Sequence, residues 1–442
     1  MLTILRHPVF ARLFTAQIVA LLGTGLLTVA LALLAYDLAG DRAGTVLGTA
    51  LTIKMVAYVG LSPVLAAALA HVPRKAVLVG ADLIRAGVAL ALPSIDGVWQ
   101  IYGLIFVLQA ASASFTPAFQ ATIPDVLTDE ADYTNALSLS RLAYDLENLL
   151  SPTIAGLLLL VVSYSMLFVG TVAGFVISAV LILSVSLPAR ARGTQRPFRE
   201  RLTRGTFIYL ATPRLRGLLA LNMAVAAVIA FVLVDTVVLV RGRFDGGERE
   251  VAIAMAAFGA GSMAAALVLP RLLIRLADRA VMLAGGTGLA LIGFGYALVL
   301  RGEGQSWGLL LAIWAVLGLC NSAVMTPSGR LLRRSAHEED RPAIFTAQFA
   351  LSHACWLLAY PAAGWLGPWL GLETTLAVLA LLAGGSVLLA MRVWPASRPD
   401  VIEHSHPDLP PDHPHLRAHG GARRHSHRII IDDEHLHWPS QG

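Results

Sequence analysis

Nine of the 13 histidines fall between His404 and His437, and eight of them form His-x-His pairs. The pairs are His404/His406, His413/His415, His425/His427 and His435/His437, with His419 between them. In extended chain, residues two apart project to the same side, so each pair can offer two imidazoles to one ion. Asp408, Asp412, Asp432, Asp433 and Glu434 add oxygen donors nearby. Imidazole and carboxylate without thiolate suit Ni(II), Co(II), Zn(II) or Cu(II) and argue against Cu(I). The interrupted spacing is unlike the single histidine run of an affinity tag. The bland alternative, a solvated polar tail, accounts poorly for four pairs in so short a stretch.

A second set of reactive groups lies inside apolar sequence. Asn135–Val162 is long enough to cross a bilayer at 1.5 Å per residue, yet it carries Arg141, Asp145, Glu147 and Asn148. A charge at that depth costs roughly 2.5–3.5 kcal/mol on insertion scales, so it needs a partner or a task. Helical spacing puts Arg141, Asp145 and Asn148 on one side, while Glu147 points the other way and needs a partner from another helix. Two readings stay open: an internal ion pair that braces the helix, or a site that handles protons or cations. Lys54, alone on its segment, is the candidate partner for Glu147 or Asp145. Asp82 and Arg85, spaced i,i+3, are expected to neutralise each other. Asp37 and Asp235 sit near the ends of equivalent segments and could form an exit site for a cation, or be solvated helix ends. His353, Cys320 and Cys355 include good metal ligands, but residues two apart on a helix diverge by about 200°, so His353 and Cys355 cannot chelate one ion together.

These residues are carried by a polytopic chain. Of 442 residues, 56% are hydrophobic and only 14% charged, a balance foreign to soluble proteins of this length. Twelve apolar segments are expected, at about 13–36, 45–70, 76–94, 99–121, 135–162, 164–187, 216–240, 250–273, 280–300, 307–327, 343–366 and 372–394. The fold class is therefore an all-α membrane protein with twelve transmembrane helices and a disordered His-rich tail. Expected divisions are 1–187, a six-helix half; 188–215, a basic linker; 216–395, a second half; and 396–442, the tail. Pro188–Gly217 holds eight arginines, and Pro197–Leu210 could lie as a basic helix on an anionic leaflet. With a cytoplasmic N-terminus, inner loops and termini up to Arg398 hold 21 of the 33 Lys and Arg, and outer loops five. That imbalance places both termini, and the tail, inside. The net charge of +5 follows from these flanks and gives no reason to expect nucleic-acid binding. The N-terminal sequence lacks a cleavage pattern, so no leader is expected to be removed. Arg74–Leu78 recurs, shifted by 204, as Asp278–Met282; Thr116-Pro117 returns as Thr326-Pro327, and Pro152 as Pro361. Such matches argue for two duplicated six-helix halves around a central path.

Twelve spans, a basic central loop and paired loops after spans two and eight resemble the major facilitator superfamily. Phe115–Leu157 resembles its enterobactin-exporter-like branch in particular, and Ser151–Gly156 is similar to the proline-glycine motif of proton-coupled exporters. The loop after span two, Leu69–Lys75, lacks the acidic residue usual there, so any gating bond comes from another group, Asp82 being the candidate, or is not made at all. The His-rich tail is similar to that of the NreB-type nickel-resistance permeases. That resemblance implies efflux of Ni2+, and possibly Co2+, by proton antiport across the bacterial inner membrane. No cofactor is expected to be held tightly; Ni2+, Co2+ or Zn2+ would be cargo or tail-bound. Expected partners are lipid, divalent ions and protons, with the chain acting as a monomer. Asp145, Glu147, Arg141, Lys54, Asn148, Asp82 and Arg85 are the expected coupling set. Lys54 and Arg141 would suit an anionic cargo better, so efflux of a metal chelate, siderophore or drug is the alternative, and a metal sensor without flux a second. No Gly-Lys-Ser/Thr phosphate loop or catalytic triad pattern is visible, which disfavours an ATP-driven pump or an enzyme.

Overall fold

The computed structural model describes residues 2–39, 43–188, 196–302, 305–396, 401–406, 410, 413–418 and 423–438. Within a hydrocarbon layer, backbone amides find partners only inside helices or closed barrels, and the apolar segments form helices. They are α1 (Pro8–Ala39), α2 (Ala43–Val56) with α3 (Ser62–Ala68), α4 (Arg74–Ala91), α5 (Val98–Val126), α6 (Glu130–Leu159) and α7 (Tyr164–Leu183). After the linker helix α8 (Phe198–Ala211) come α9 (Pro213–Phe244), α10 (Glu248–Arg275), α11 (Asp278–Leu300), α12 (Trp307–Met325), the short α13 (Ser328–Arg334), α14 (Arg341–Leu370) and α15 (Leu372–Val393). Among the described residues, eleven spans are long and apolar enough to cross a membrane. The twelfth long helix is α6, 30 residues, whose buried charges lower its apolarity. α2 and α3 make one span, joined by a π-turn at Ala57–Leu61.

Packing follows the duplication read from the sequence. α1 and α4 pack on α7, and α4 on α5; α9 and α11 pack on α15, and α10 and α11 on α12. The repeated loop motif marks equivalent starts, since Arg74 opens α4 and Asp278 opens α11. The paired prolines are not equivalent in effect. Pro117 and Pro361 lie inside α5 and α14, whereas the chain turns at Pro327 and restarts as α13. The halves meet where α6 packs on α10 and where α14 packs on α2, α3 and α5. α8 packs on both α3 and α14, so the linker bridges the halves.

The tail differs from the disordered segment expected. Its described residues form an antiparallel ribbon, β1 (Val401–Ser405) with β2 (Arg424–Arg428), and a short helix α16 (Pro414–Ala418). His404 stands opposite His425 in the ribbon. The physical reason is a few apolar residues that an averaged composition hides: Ile402, Leu416, Ile429 and Ile431 are buried. Ile431 and Trp438 join the core of the second half. His419, Asp408 and Asp412 lie outside the described residues.

Close helix contact is concentrated between α10 and α12. A methyl group at Gly261 would come within 1.7 Å of the Ala315 carbonyl oxygen, and one at Gly318 within 1.9 Å of the Phe258 carbonyl oxygen. Backbone blocks both, so Gly261→Ala or Gly318→Ala must push the helices apart, at a cost of about 1–3 kcal/mol or more. Thermal unfolding in detergent should show a lower midpoint for each. Gly308→Ala, where nothing lies within 4 Å, should match the parent.

Candidate functional site

Three polar assemblies stand out, and the first lies between the halves, midway along α6. Arg141 donates through Nε and Nη2 to Ser262 Oγ at 3.2 and 3.1 Å. Ser262 in turn donates to Asp145 Oδ2 at 2.7 Å, and Arg141 Nη2 lies 3.0 Å from Asp145 Oδ1. α6 thus supplies the i,i+4 ion pair, and α10 of the other half closes it with a hydroxyl. Glu147, on another side of α6, has Lys54 as its electrostatic partner. Lys54 Nζ lies 5.6 Å from the centre of the Tyr58 ring, and Tyr58 sits in the π-turn. Turns of that kind recur at functional sites, because they re-aim side chains and free a backbone carbonyl. Tyr58 packs edge-on to His353 of α14 at 4.8 Å and against Phe349 at 4.8 Å. His353 hydrogen-bonds the Phe349 carbonyl through Nδ1 at 2.7 Å. Tyr144 bonds Gln17 of α1, which also accepts from Ser140 at 3.1 Å. Lys54, Glu147, Asp145, Arg141 and His353 therefore all face the seam between halves. The side chain of Asn148 lies outside the described residues.

Other expected residues are placed elsewhere. Asp82 is buried against Arg85 and accepts from Ser178 Oγ at 2.7 Å. Arg85 is further held over Phe115 and Phe175 at 4.2 and 4.5 Å. This is a closed assembly inside the first half. Asp37 is exposed and bonded by Tyr164, whereas Asp235 is buried beside Gly367, with one carboxylate oxygen unpaired among the described residues. Cys320 is packed against the α11 glycines: a methyl at Gly288 would meet its sulfur at 2.6 Å. Cys355 bonds the Leu351 carbonyl at 3.4 Å. Among the described residues, His353, Cys320, Asp37 and Asp235 are not gathered into one ligand set.

The second assembly closes the basic face, where the arginine-rich loops lie. Asp125 at the end of α5 pairs with both Arg74 and Arg341, the latter from the other half. Asp125, and not Asp82, thus bonds the basic loop after span two. Glu130 pairs with Arg330 at 2.9 Å and with Arg334, again across the seam. Arg334 Nη1 reaches Asp278 Oδ2 at 2.9 Å, and Arg330 Nε lies 2.9 Å from Asp278 Oδ1 at ion-pair distance without hydrogen-bond geometry. Arg330 also donates to Thr134 at 2.6 Å. Sequence reading missed Asp125, Glu130, Arg330, Arg334 and Arg341. A signal was present, since Asp125 and Glu130 flank the only turn between α5 and α6, but ends of spans are ordinarily charged.

The third assembly is the tail. His404, His406, His415, His427 and His435 bring one ring nitrogen each within 4.8 Å of one another. His435 Nε2 lies 3.1 Å from His404 Nε2, and His415 Nε2 lies 3.3 Å from that of His427 and 3.1 Å from that of His425. The group takes members from all four pairs, and His413, His425 and His437 stand outside it. Four separate two-imidazole sites are therefore not what the fold builds. Behind His435, Nδ1 meets Asp432 Oδ1 at 2.8 Å. Burial would raise the Asp432 carboxyl, but hydrogen bonds from His337 and His435 hold it well below the usual range. Burial, with neighbouring His435 and His406, pushes His415 down to about 4, so it is an unprotonated donor at neutral pH. Asp432 also bridges to His337 at 3.2 Å, and its hydrogen bond raises that imidazole's pKa.

The model of the Major Facilitator Superfamily matches residues 13–243 and 219–418. The chain is 26% identical over 325 residues to the MFS-type transporter YfiS of Bacillus subtilis, covering 72% of this chain and 75% of that protein. It is 25% identical over 184 residues to macrolide efflux protein A of Streptococcus pyogenes, covering 40% of this chain and 45% of that relative, less than half its length. Among solved structures, a bacterial homologue of the iron transporter ferroportin in an outward-facing state superposes with a TM-score of 0.72 at 15% identity, over 87% of this chain and 98% of that one. The human organic anion transporter MFSD10 gives 0.71 at 14%, over 87% and 99%. These last two likenesses establish the fold alone.

Asp125→Asn would leave Arg74 and Arg341 facing each other without their shared anion. Breaking such a pair typically costs about 3–5 kcal/mol, so the basic face should loosen. A thiol at Thr346, 5% exposed, should then react with a soluble maleimide roughly tenfold faster or more than in the parent background. An unchanged rate would show that this pair does not hold the face shut.

Proposed function

We propose, for a chain that belongs to the Major Facilitator Superfamily, the export of a divalent cation, Ni2+ first and Co2+ with it, in exchange for protons. The protein is a transporter and not an enzyme. The proposed setting is a bacterial inner membrane with both termini in the cytoplasm, so that the basic face and tail meet cytosolic metal. Five imidazoles converging beside the basic face are the observation that carries the reading. Borderline divalent ions, Ni2+ among them, are the natural partners of such a donor set. The tail's similarity to NreB-type permeases points the same way.

The mid-membrane seam supplies what exchange needs. Asp145 and Glu147 are carboxylates between two halves that move relative to each other in alternating access. Each can lose its proton to one side and take it up from the other, and each has a fixed cation, Arg141 or Lys54, to hold the balance when the proton leaves. Ser262 ties Asp145 to the opposite half, so protonation of Asp145 weakens a bond across the seam. Those same cations favour an anionic or chelated cargo, and a macrolide efflux relative is among the similar proteins. Efflux of a metal chelate, siderophore or organic compound is therefore the second reading. A sensor that binds metal without flux is the third.

Inside-out vesicles should take up radioactive nickel when an outward proton gradient is imposed, and cobalt should compete. Asp145→Asn and Glu147→Gln should each cut the gradient-driven part at least tenfold. Parental rates in both variants would return these residues to a bracing role. Macrolide uptake without nickel uptake favours the second reading, and metal binding with no flux of either favours the third.

A further inference from the structure

We infer that the tail carries one divalent-ion site, not four, and that the ion fastens the tail to the linker helix α8 and the α13–α14 connection. The inference rests on the metal-binding part of the proposed function and not on export. His404 comes from β1 and His406 from just past its end, His427 from β2, His415 from α16 and His435 from the segment beyond, so one ion would cross-link four pieces of chain. An ion with metal–nitrogen bonds of roughly 2.0–2.1 Å spaces its ligands from about 3 Å for neighbours to about 4.2 Å for opposites. The described group spans 4.8 Å, with nearest nitrogens at 3.1 and 3.3 Å. Closing on an ion therefore requires a contraction of about half an ångström.

The electron pairs point to the same conclusion. Asp432, ionised, can only accept, so His435 carries its proton on Nδ1 and turns a bare Nε2 toward His404 Nε2 at 3.1 Å. A carboxylate that orients an imidazole from behind is the arrangement metal-binding histidines use to fix tautomer and basicity. Asp432 has a second task. Its other oxygen meets His337, in the connection between α13 and α14, at 3.2 Å. Asp433, next in sequence, pairs with Arg196 and, at 3.0 Å, with Arg204 of α8. Arg204 grips Asp340 through Nη2 at 2.9 Å, and Trp438 lies 5.5 Å from the Arg214 guanidinium. Holding His435 in a metal shell thus holds the two acids that anchor the tail.

The test uses full-length protein in detergent with NiCl2 and no transport. Calorimetry should give one tight Ni2+ per chain. Asp432→Asn should weaken that site by about 10–100-fold. Spin labels on cysteines at Val401 and Glu339, both exposed, report docking: Ni2+ should sharpen their distance distribution and EDTA should broaden it. His337→Gln lies outside the donor set, so it should keep the single ion and lose the sharpening. Two or more ions of like affinity would overturn the single site. A distribution indifferent to Ni2+ and EDTA, or sharpening that survives in His337→Gln, would overturn the fastening. Should His337→Gln fail to fold, the parent titration and the EDTA response decide the matter by themselves.

Discussion

Charge in a low-dielectric layer must be neutralised close by, and here the neutralising groups are drawn from both halves of the bundle. Asp145 takes Arg141 from its own helix and Ser262 from the opposite half. Glu147 has Lys54 as its electrostatic partner, beside the π-turn, where Tyr58 touches His353 of the second half. Because isolated charges at this depth are costly, the seam is held by bonds whose strength depends on protonation. In the proposed exchange, these protonation-sensitive bonds are what would bias a duplicated bundle between two arrangements.

The basic face obeys the same rule nearer to water. Asp125 and Glu130, at the junction of α5 and α6, reach across to Arg341, Arg330 and Arg334. α8 adds a strap, packing on α3 and α14 together. Gly205 of α8 approaches α14 so closely that a methyl would lie 2.1 Å from the Ala343 carbonyl oxygen. The tail joins this closure through Asp433 and Arg204, and Arg204 holds Asp340, the residue before Arg341. Metal-donor group, linker and inter-half ion pairs thus form one continuous polar layer.

Much of this was legible from residue types and spacing. Apolar runs of the right length marked all twelve long helices, and the shifted copy of Arg74–Leu78 marked the duplication, because bilayer thickness leaves little freedom in span length. The Arg141–Asp145 pair follows from i,i+4 geometry alone. Its closure by Ser262 does not, because a serine in an apolar helix gives no sign of which helix it faces. Asp82 is turned inward by its helix to Arg85 and Ser178, and Asp125 bonds Arg74 instead, a contact that a charge at a span end does not announce. The tail misled most. Its proline, glycine and charge content suggested nothing to bury, yet Ile402, Leu416, Ile429 and Ile431 are buried, and Ile431 joins the core of the second half. Neighbours in sequence suggested pairs, whereas the fold gathers one or two imidazoles from each.

In the proposed export the ion gathered by the tail imidazoles crosses through the seam between the halves, and the tail itself is not part of the path. Exchange of radioactive nickel in proteoliposomes containing protein truncated after Trp394 tests this most directly. Nickel exchange should persist without the tail and be competed by cobalt. Exchange of an organic compound with none of nickel, cobalt or zinc would contradict it.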